Sequence, residues 1–381
     1  MVQKNIDESF LRKSGLKPTR QRLLLSKLLF SKGDKHFTAE EIRKLVVNKG
    51  AKISLATICG SDVHTWLGHR PFPTPSILGH EMVGKIVKLG KNLKSDFNGK
   101  KLSIGDRVTW SMTASCQNCF FCKKGIPQKC INLFKYGHVE SSGNMGLTGG
   151  FANFIHLRKG SFIFKVPNDL SDEEVSPLMC AGATITSGLD EANFSKCKYV
   201  VVQGCGALGL YACAFSKKLG AEKIIAIDMD SKRLSLAKEF GADYTVNIKN
   251  EKNIINNISQ ITIGFGADYV IEVTGTPSVI DQGIKFLRIG GTYILLGAIY
   301  PNSKFTLDSS EIITKCLTLV GMHNYKPESL DLAIKLVQKT KSKYPYKKLV
   351  GTQCSLSLDD VEDALKSFES RKTTRPSIKP I

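Results

Sequence analysis

The sequence predicts an α/β chain: a doubly wound parallel sheet in its second half, a metal-holding part before it, and a small helical segment in front. Three observations carry this. A glycine-rich turn, Gly204-Cys205-Gly206-Ala207-Leu208-Gly209, joins an apolar strand to an alanine-rich helix. Beyond it apolar runs alternate with helical stretches, the pattern of a parallel sheet with helices on both faces. Ahead of it four cysteines crowd into one loop, C-Q-N-C-F-F-C-K-K-G-I-P-Q-K-C from Cys116 to Cys130.

Residues 1 to about 56 read as helical. Gln21 to Phe30 carries Leu24, Leu25, Leu28 and Leu29 at helical spacing. Thr38 opens a second helix as its cap, with Glu41 three residues on as the reciprocal partner. Ile42, Leu45 and Val46 give that helix one apolar face. Two short helices joined by a turn suggest a helix-turn-helix module.

Cys116, Cys119, Cys122 and Cys130 are spaced to close on one tetrahedral Zn²⁺, with Zn–S near ~2.3 Å. Disulfides or coincidence among 11 cysteines are the alternatives. The charged, helix-like N-terminus does not read as an export leader, so a cytoplasmic setting with reduced thiols is expected. Four thiolates leave no open position, so this ion is structural. A second constellation is dispersed: Cys59 in C-G-S-D-V-H, His80 in G-H-E and Cys180 in P-L-M-C-A-G. Spacing alone does not join these three, and each alone reads as a packed core residue. Together they offer two thiolates and an imidazole, leaving a fourth position open for water or substrate.

In the second half, Tyr199-Val200-Val201-Val202-Gln203 is a short apolar strand, and the helix after the glycine turn runs to Lys218. Gly204 and Gly206 allow a tight turn and close approach to a pyrophosphate, and Gly209 lets helix and strand pack. The helix start at Ala207 and Leu208 then offers backbone N–H groups to phosphate. The next strand ends at Asp228, nineteen residues past Gly209. A carboxylate there accepts from both ribose hydroxyls and repels a 2′-phosphate, which favours NAD over NADP. Arg233 reads equally as an adenosine contact or a solvated helix arginine. Further strands are expected at Tyr269–Val273, 291–296 and 317–320.

In motif content and order, the chain from about Thr57 onward resembles the zinc-dependent medium-chain alcohol dehydrogenases. The resemblance implies a GroES-like catalytic domain with the structural zinc lobe over 57–185, a Rossmann domain over 186–322, and a return to the catalytic domain over 323–381. It also implies two zinc ions per chain. Cys59, His80 and Cys180 would hold the catalytic ion. Ser61 would pass the substrate proton to His64, while Asp62 and Glu81 orient His80 and tune the metal. Thr184, Val273 and Ala298 would line the nicotinamide pocket, although Val273 and Ala298 read equally as packing residues. Trp66-Leu67-Gly68-His69-Arg70-Pro71, and Gly125-Ile126-Pro127-Gln128-Lys129-Cys130 followed by Lys135-Tyr136-Gly137-His138, resemble the dehydrogenases associated with phosphonate catabolism. Trp66, Leu67, Arg70 and the region of Met322 are expected around the substrate. A homodimer or homotetramer is expected.

The first segment resembles another family, the ferric uptake regulators of the iron-response branch. Gly15-Leu16-Lys17-Pro18-Thr19-Arg20-Gln21-Arg22, Gly33-Asp34-Lys35-His36-Phe37-Thr38-Ala39-Glu40 and Ser54-Leu55-Ala56-Thr57 carry that likeness. In that family the last of these opens the recognition helix. Here it runs into Cys59-Gly60-Ser61-Asp62, so the recognition helix, wing and dimerisation domain are absent. The sequence therefore reads as a fusion meeting at Ala56–Ile58: a truncated winged-helix-like fragment over 1–56 and a dehydrogenase whose N-terminal strands are missing. The expectation follows that the catalytic sheet is incomplete and turnover low.

Composition bounds the rest. Of 54 basic residues 43 are Lys, scattered along the chain, so the formal charge of +20 implies weak attraction to polyanions and no specific nucleic-acid partner. No apolar run reaches the ~18 residues of a membrane span. Three readings stand: an NAD-linked zinc enzyme acting on a small alcohol, a DNA-binding regulator, and a folded but inactive fusion. The enzyme accounts for the most motifs.

Overall fold

The computed structural model describes Arg12 and residues 50–380, except 71, 142–145, 252, 298–302 and 371–372. Expectations for the helical pair and His36 lie outside the described residues. Gly50–Ile381 forms one compact unit.

Its first sheet begins where the sequence predicts a helical fragment. β1 (Ala51–Thr57) reads A-K-I-S-L-A-T, with Ala51, Ile53 and Leu55 buried and Lys52 exposed. Alternation of this kind fits a strand with one face on a core. With β2 (Glu81–Ile86), β3 (Arg107–Ala114), β4 (Phe134–Lys135), β13 (Val350–Leu356) and β14 (Arg375–Ile378) it forms a sheet ordered β13-β14-β1-β2-β3-β4. Two further strands, β5 (Phe154–Ile155) and β6 (Ser161–Lys165), pair with β1 and β3.

This corrects the reading of the junction. Ser54 to Thr57 open no recognition helix. They lie in a strand flanked by β14 and β2, so β1 is interior and leaves no bare edge at this point. The dehydrogenase sheet therefore reaches back to Ala51, six residues before the boundary drawn from sequence. Pairing with strands distant in the chain decides the conformation of this short apolar word.

The second sheet has six parallel strands: β7 (Cys197–Gln203), β8 (Ala221–Asp228), β9 (Tyr244–Asn247), β10 (Ala267–Glu272), β11 (Leu287–Leu295) and β12 (Thr318–Gly321). Their order, β12-β11-β10-β7-β8-β9, reverses direction between β7 and β10. Ligands of open α/β sheets bind in the crevice beyond the strand ends at such a switch point. Val200, Val201 and Val202 are all fully buried, as a strand covered on both faces requires.

Six helices matter below: α1 (Gly60–Trp66), α2 (Ala181–Glu191), α3 (Ala207–Leu219), α4 (Ser231–Glu239), α5 (Pro327–Thr340) and α6 (Val361–Glu369). One apolar core runs through both sheets and includes Ile53, Met82, Trp110, Tyr211 and Phe215. Polar ties cross it. Tyr325 accepts from the Met112 backbone N–H at 2.9 Å and donates to the Met179 carbonyl. Thr186 Oγ1 donates to the Ser329 carbonyl at 2.7 Å.

Candidate active site and metal-binding lobe

The register of β1 on β2 sets Thr57 opposite Glu81, so the residues just after β1 and just before β2 stand side by side. Cys59 and His80 occupy those places. Cys180 arrives at the start of α2, behind a 3₁₀ turn, Ser176–Met179, that lies on β2. Ser176 Oγ donates to the Glu81 carbonyl at 3.1 Å and lies 3.1 Å from Thr57 Oγ1. One ligand atom each from Cys59, His80, Glu81 and Cys180 then falls within 4.8 Å of the others.

Asp62 organises the first turn of α1. Its Oδ2 accepts from Cys59 N at 2.9 Å, and its Oδ1 accepts from Gly79 N at 3.2 Å and His80 Nδ1 at 3.1 Å. With Nδ1 donating, Nε2 offers a lone pair to a metal. Ser61 Oγ lies 3.3 Å from that Nε2. Glu81 does not bond His80. It accepts from Thr57 Oγ1 at 2.6 Å and pairs with Arg375 Nε at 3.2 Å, while its Oε1 has no hydrogen-bond partner among the described residues. Burial raises the Glu81 carboxyl to about 8, against the pull of Arg375.

Charge supports a cation here. Cys59 and Cys180 lie 3.9 Å apart, and their contact drives Cys59 toward thiolate and Cys180 toward thiol. Burial alone would strip the proton from His80, but Asp62 and Cys59 outweigh it and lift the ring to about 10. Protons therefore balance a buried negative cluster, and a divalent ion would take their place. The donor set, two sulfurs and a nitrogen with a carboxylate beside them, suits zinc.

The four-cysteine lobe is built from a loop. Cys119 caps the short helix Phe120–Lys123. Neighbouring sulfurs are 3.4 Å (Cys116–Cys130), 3.5 Å (Cys119–Cys122) and 3.9 Å (Cys119–Cys130) apart. Those separations exceed a disulfide's ~2.05 Å. They approach the roughly 3.8 Å edge of four sulfurs ~2.3 Å from one centre. The N–H groups of Cys116 and Asn132 donate to Cys130 Sγ at 3.2 and 3.3 Å. Backbone N–H groups of Cys122 and Ile131 hold Cys119 down to about 6. All four residues fit a structural zinc.

A cavity of about 520 Å³ joins the Cys59–His80–Cys180 cluster to the glycine turn. Gly204 sits at φ +101°, and a Cβ on Gly209 would lie 1.8 Å from the Gly204 carbonyl oxygen, so strand and helix meet only because position 209 is bare. Beside Gly206, the N-cap of α3, there is open space, and no side chain caps the helix. Asp228 ends β8; its oxygens accept from Cys205 N at 2.7 Å and Asp230 N at 2.9 Å. Ser61, His64, Thr184, Ala207, Leu208, Arg233 and Val273 line the cavity, as do Leu67 and Met322. Trp66 instead packs on the core, and Arg70 stands outside the lining. Ala298 lies outside the described residues. His64 Nδ1 is 3.1 Å from His69 Nδ1.

Sequence reasoning missed three groups. Arg375 follows no motif and reaches Glu81 only because β14 pairs with β1. Thr57 was taken for a junction residue. Glu272 accepts from Thr274 N, Gly275 N and Gly297 N at 2.7, 2.9 and 3.1 Å, which ties together the loops after β10 and β11.

The family follows from comparison with known proteins. An alcohol dehydrogenase GroES-like domain matches residues 51–168, and a zinc-binding dehydrogenase domain matches 207–339. A sorbitol dehydrogenase of Halalkalibacterium halodurans is 33% identical over 349 residues, covering 89% of this chain and 95% of its own. A D-arabitol-phosphate dehydrogenase of Enterococcus avium is 31% identical over 294 residues, 76% of this chain and 78% of its own. An alcohol dehydrogenase structure from Thermotoga maritima superposes with a TM-score of 0.82 at 32% identity, covering 87% and 92% of the two chains. The chain belongs to the zinc-binding medium-chain alcohol dehydrogenases. It is an oxidoreductase that passes hydride from an alcohol to a nicotinamide dinucleotide. A ferric uptake regulator model also matches residues 13–60, overlapping the dehydrogenase match across β1.

Proposed function

We propose that the cavity oxidises a small alcohol with NAD, with Ser61 and His64 carrying the proton outward. The observation behind this reading is that one cavity holds both the metal-ligand cluster and the glycine turn. Zinc, when bound by Cys59, His80 and Cys180, acts as a Lewis acid on the substrate oxygen. Asp62 holds the His80 tautomer that presents Nε2. Ser61 Oγ, beside that nitrogen, is in position to take a hydroxyl proton, and His64 sits one turn further along α1, next to His69 at the mouth. Thr184 and Val273 flank the nicotinamide, with Ala298 assigned there by resemblance.

NAD is preferred over NADP because the Asp228 carboxylate ends β8 beside the turn and would repel a 2′-phosphate. Arg233 meets the adenosine half. The four-cysteine lobe carries the second zinc. By resemblance, the finer type is the phosphonate-associated dehydrogenase, the segment before Gly50 is a fused regulator fragment without specific DNA binding, the assembly is a homodimer or homotetramer, and the setting is cytoplasmic. The test is metal content by mass spectrometry together with NAD reduction over simple alcohols, polyols, amino alcohols and phosphorylated alcohols. Two zinc per chain and NADH formation are expected. Metal-free protein, or no NADH with any class, would overturn the reading.

A further inference from the structure

Lys135 lines the same cavity as Cys59, Cys180 and His323, half-buried at the end of β4. Strand pairing holds it there: β4 bonds to β3, with Lys135 opposite Thr113. Among the described residues its ammonium has neither an ion-pair nor a hydrogen-bond partner. Desolvating an unpaired ammonium is costly, so such a group is normally satisfied by something.

Its surroundings are also cationic. Arg70 bears on it, and Arg70 Nη1 is itself buried without a hydrogen-bond partner. Lys129 Nζ lies 3.0 Å from His323 Nδ1. An ammonium can only donate, so that nitrogen accepts and the His323 ring is neutral, with Nε2–H left as a donor. Like burial, the charges of Lys135, Lys129 and Arg70 all oppose protonation of His323. No described carboxylate pairs with Arg70, Lys129 or Lys135, and Glu369 is the one carboxylate among the described residues lining the cavity. Burial disfavours Lys135's charged form, whereas the sulfurs of Cys180 and Cys59 and the Asp62 carboxylate favour it. A divalent ion held by Cys59, His80 and Cys180 would offset that negative charge, and the ammonium would then face the cavity without it.

We propose that Lys135, supported by His323, binds an oxyanion on the substrate, so that the alcohol oxidised here carries a phosphate-like group. An ammonium and an imidazole N–H from two separate chain segments suit a tetrahedral oxyanion better than the planar fork that selects carboxylates. The proposal rests on reading the cavity as the alcohol site.

The test uses the full chain loaded with zinc. The kcat/KM of sorbitol 6-phosphate is compared with that of sorbitol, and of glycerol 3-phosphate with glycerol, in wild type, Lys135→Ala and Lys135→Arg. A hydroxy acid serves as the carboxylate arm. Binding of inorganic phosphate to the NADH complex is measured by calorimetry. Wild type should favour the phosphorylated alcohol. Lys135→Ala should cut that preference roughly ten- to a hundredfold, through KM, with Lys135→Arg restoring part of it. Phosphate should bind wild type and bind Lys135→Ala more weakly. A preference for neutral or carboxylate substrates, or a ratio and phosphate affinity unmoved by Lys135→Ala, would overturn the proposal. Absence of turnover with every alcohol would sink the cavity reading instead, and the phosphate titration would still decide the role of Lys135.

Discussion

Arg375 is the residue on which the catalytic corner turns. Its side chain is 4% exposed and faces Glu81, which is fully buried. Removing Arg375 takes from the buried Glu81 carboxyl the cation that favours its charged form. Arg375→Met should therefore destabilise the protein by about 3–5 kcal/mol in denaturant unfolding. Adding Glu81→Gln should recover part of that loss, because the orphaned carboxylate is gone; a double variant no more stable than the single one would refute the pairing. Asp228 carries the proposed choice of cofactor. Wild type should bind NADH more tightly than NADPH by calorimetry, and Asp228→Gly with Met229→Arg should reverse the order, since repulsion is removed and a phosphate partner supplied.

Among elements, β1 and the cysteine lobe make opposite kinds of contribution. β1 is the strand through which the first sheet is continuous, and Ile53 on it is fully buried. Ile53→Ala should cost about 2–5 kcal/mol. A chain beginning at Gly50 should melt cooperatively and retain metal, whereas one beginning at Ile58 should precipitate, because β14 and β2 lose the strand between them. Equal solubility of the two would show that β1 is dispensable. The lobe would contribute through the ion that its four cysteines fit. Cys119→Ser should lower metal content from about two ions per chain to about one and depress the melting temperature, since binding free energy at a structural site is folding free energy. An unchanged melt after chelation would remove that role.

At the scale of the whole molecule, scattered lysines set the long-range field. The protein should bind duplex DNA only weakly and without sequence preference, with affinity falling steeply in salt, because phosphate attraction carries no base readout. A gel shift that discriminates one operator from a scrambled duplex at moderate salt would reverse this. No described helix is long and apolar enough to cross a membrane.

The sequence alone determined those parts whose chemistry is local. Cys116 to Cys130 lie in one loop, so their spacing was already a coordination shell. Gly204 to Gly209 lie at one strand–helix turn, so their small size announced a close approach. The alternation after Tyr199 named the parallel sheet, since a strand buried on both faces is a run of apolar residues. Only the tertiary structure decided the conformation of Ala51–Thr57, because the same short apolar word suits a helix start or a strand until β2 and β14 pair with it. It likewise decided that Glu81 meets Arg375 rather than His80, and that Lys135 stands in the cavity with no partner among the described residues. Those are meetings between residues tens to hundreds of positions apart, fixed by sheet register and burial, and no local pattern encodes them.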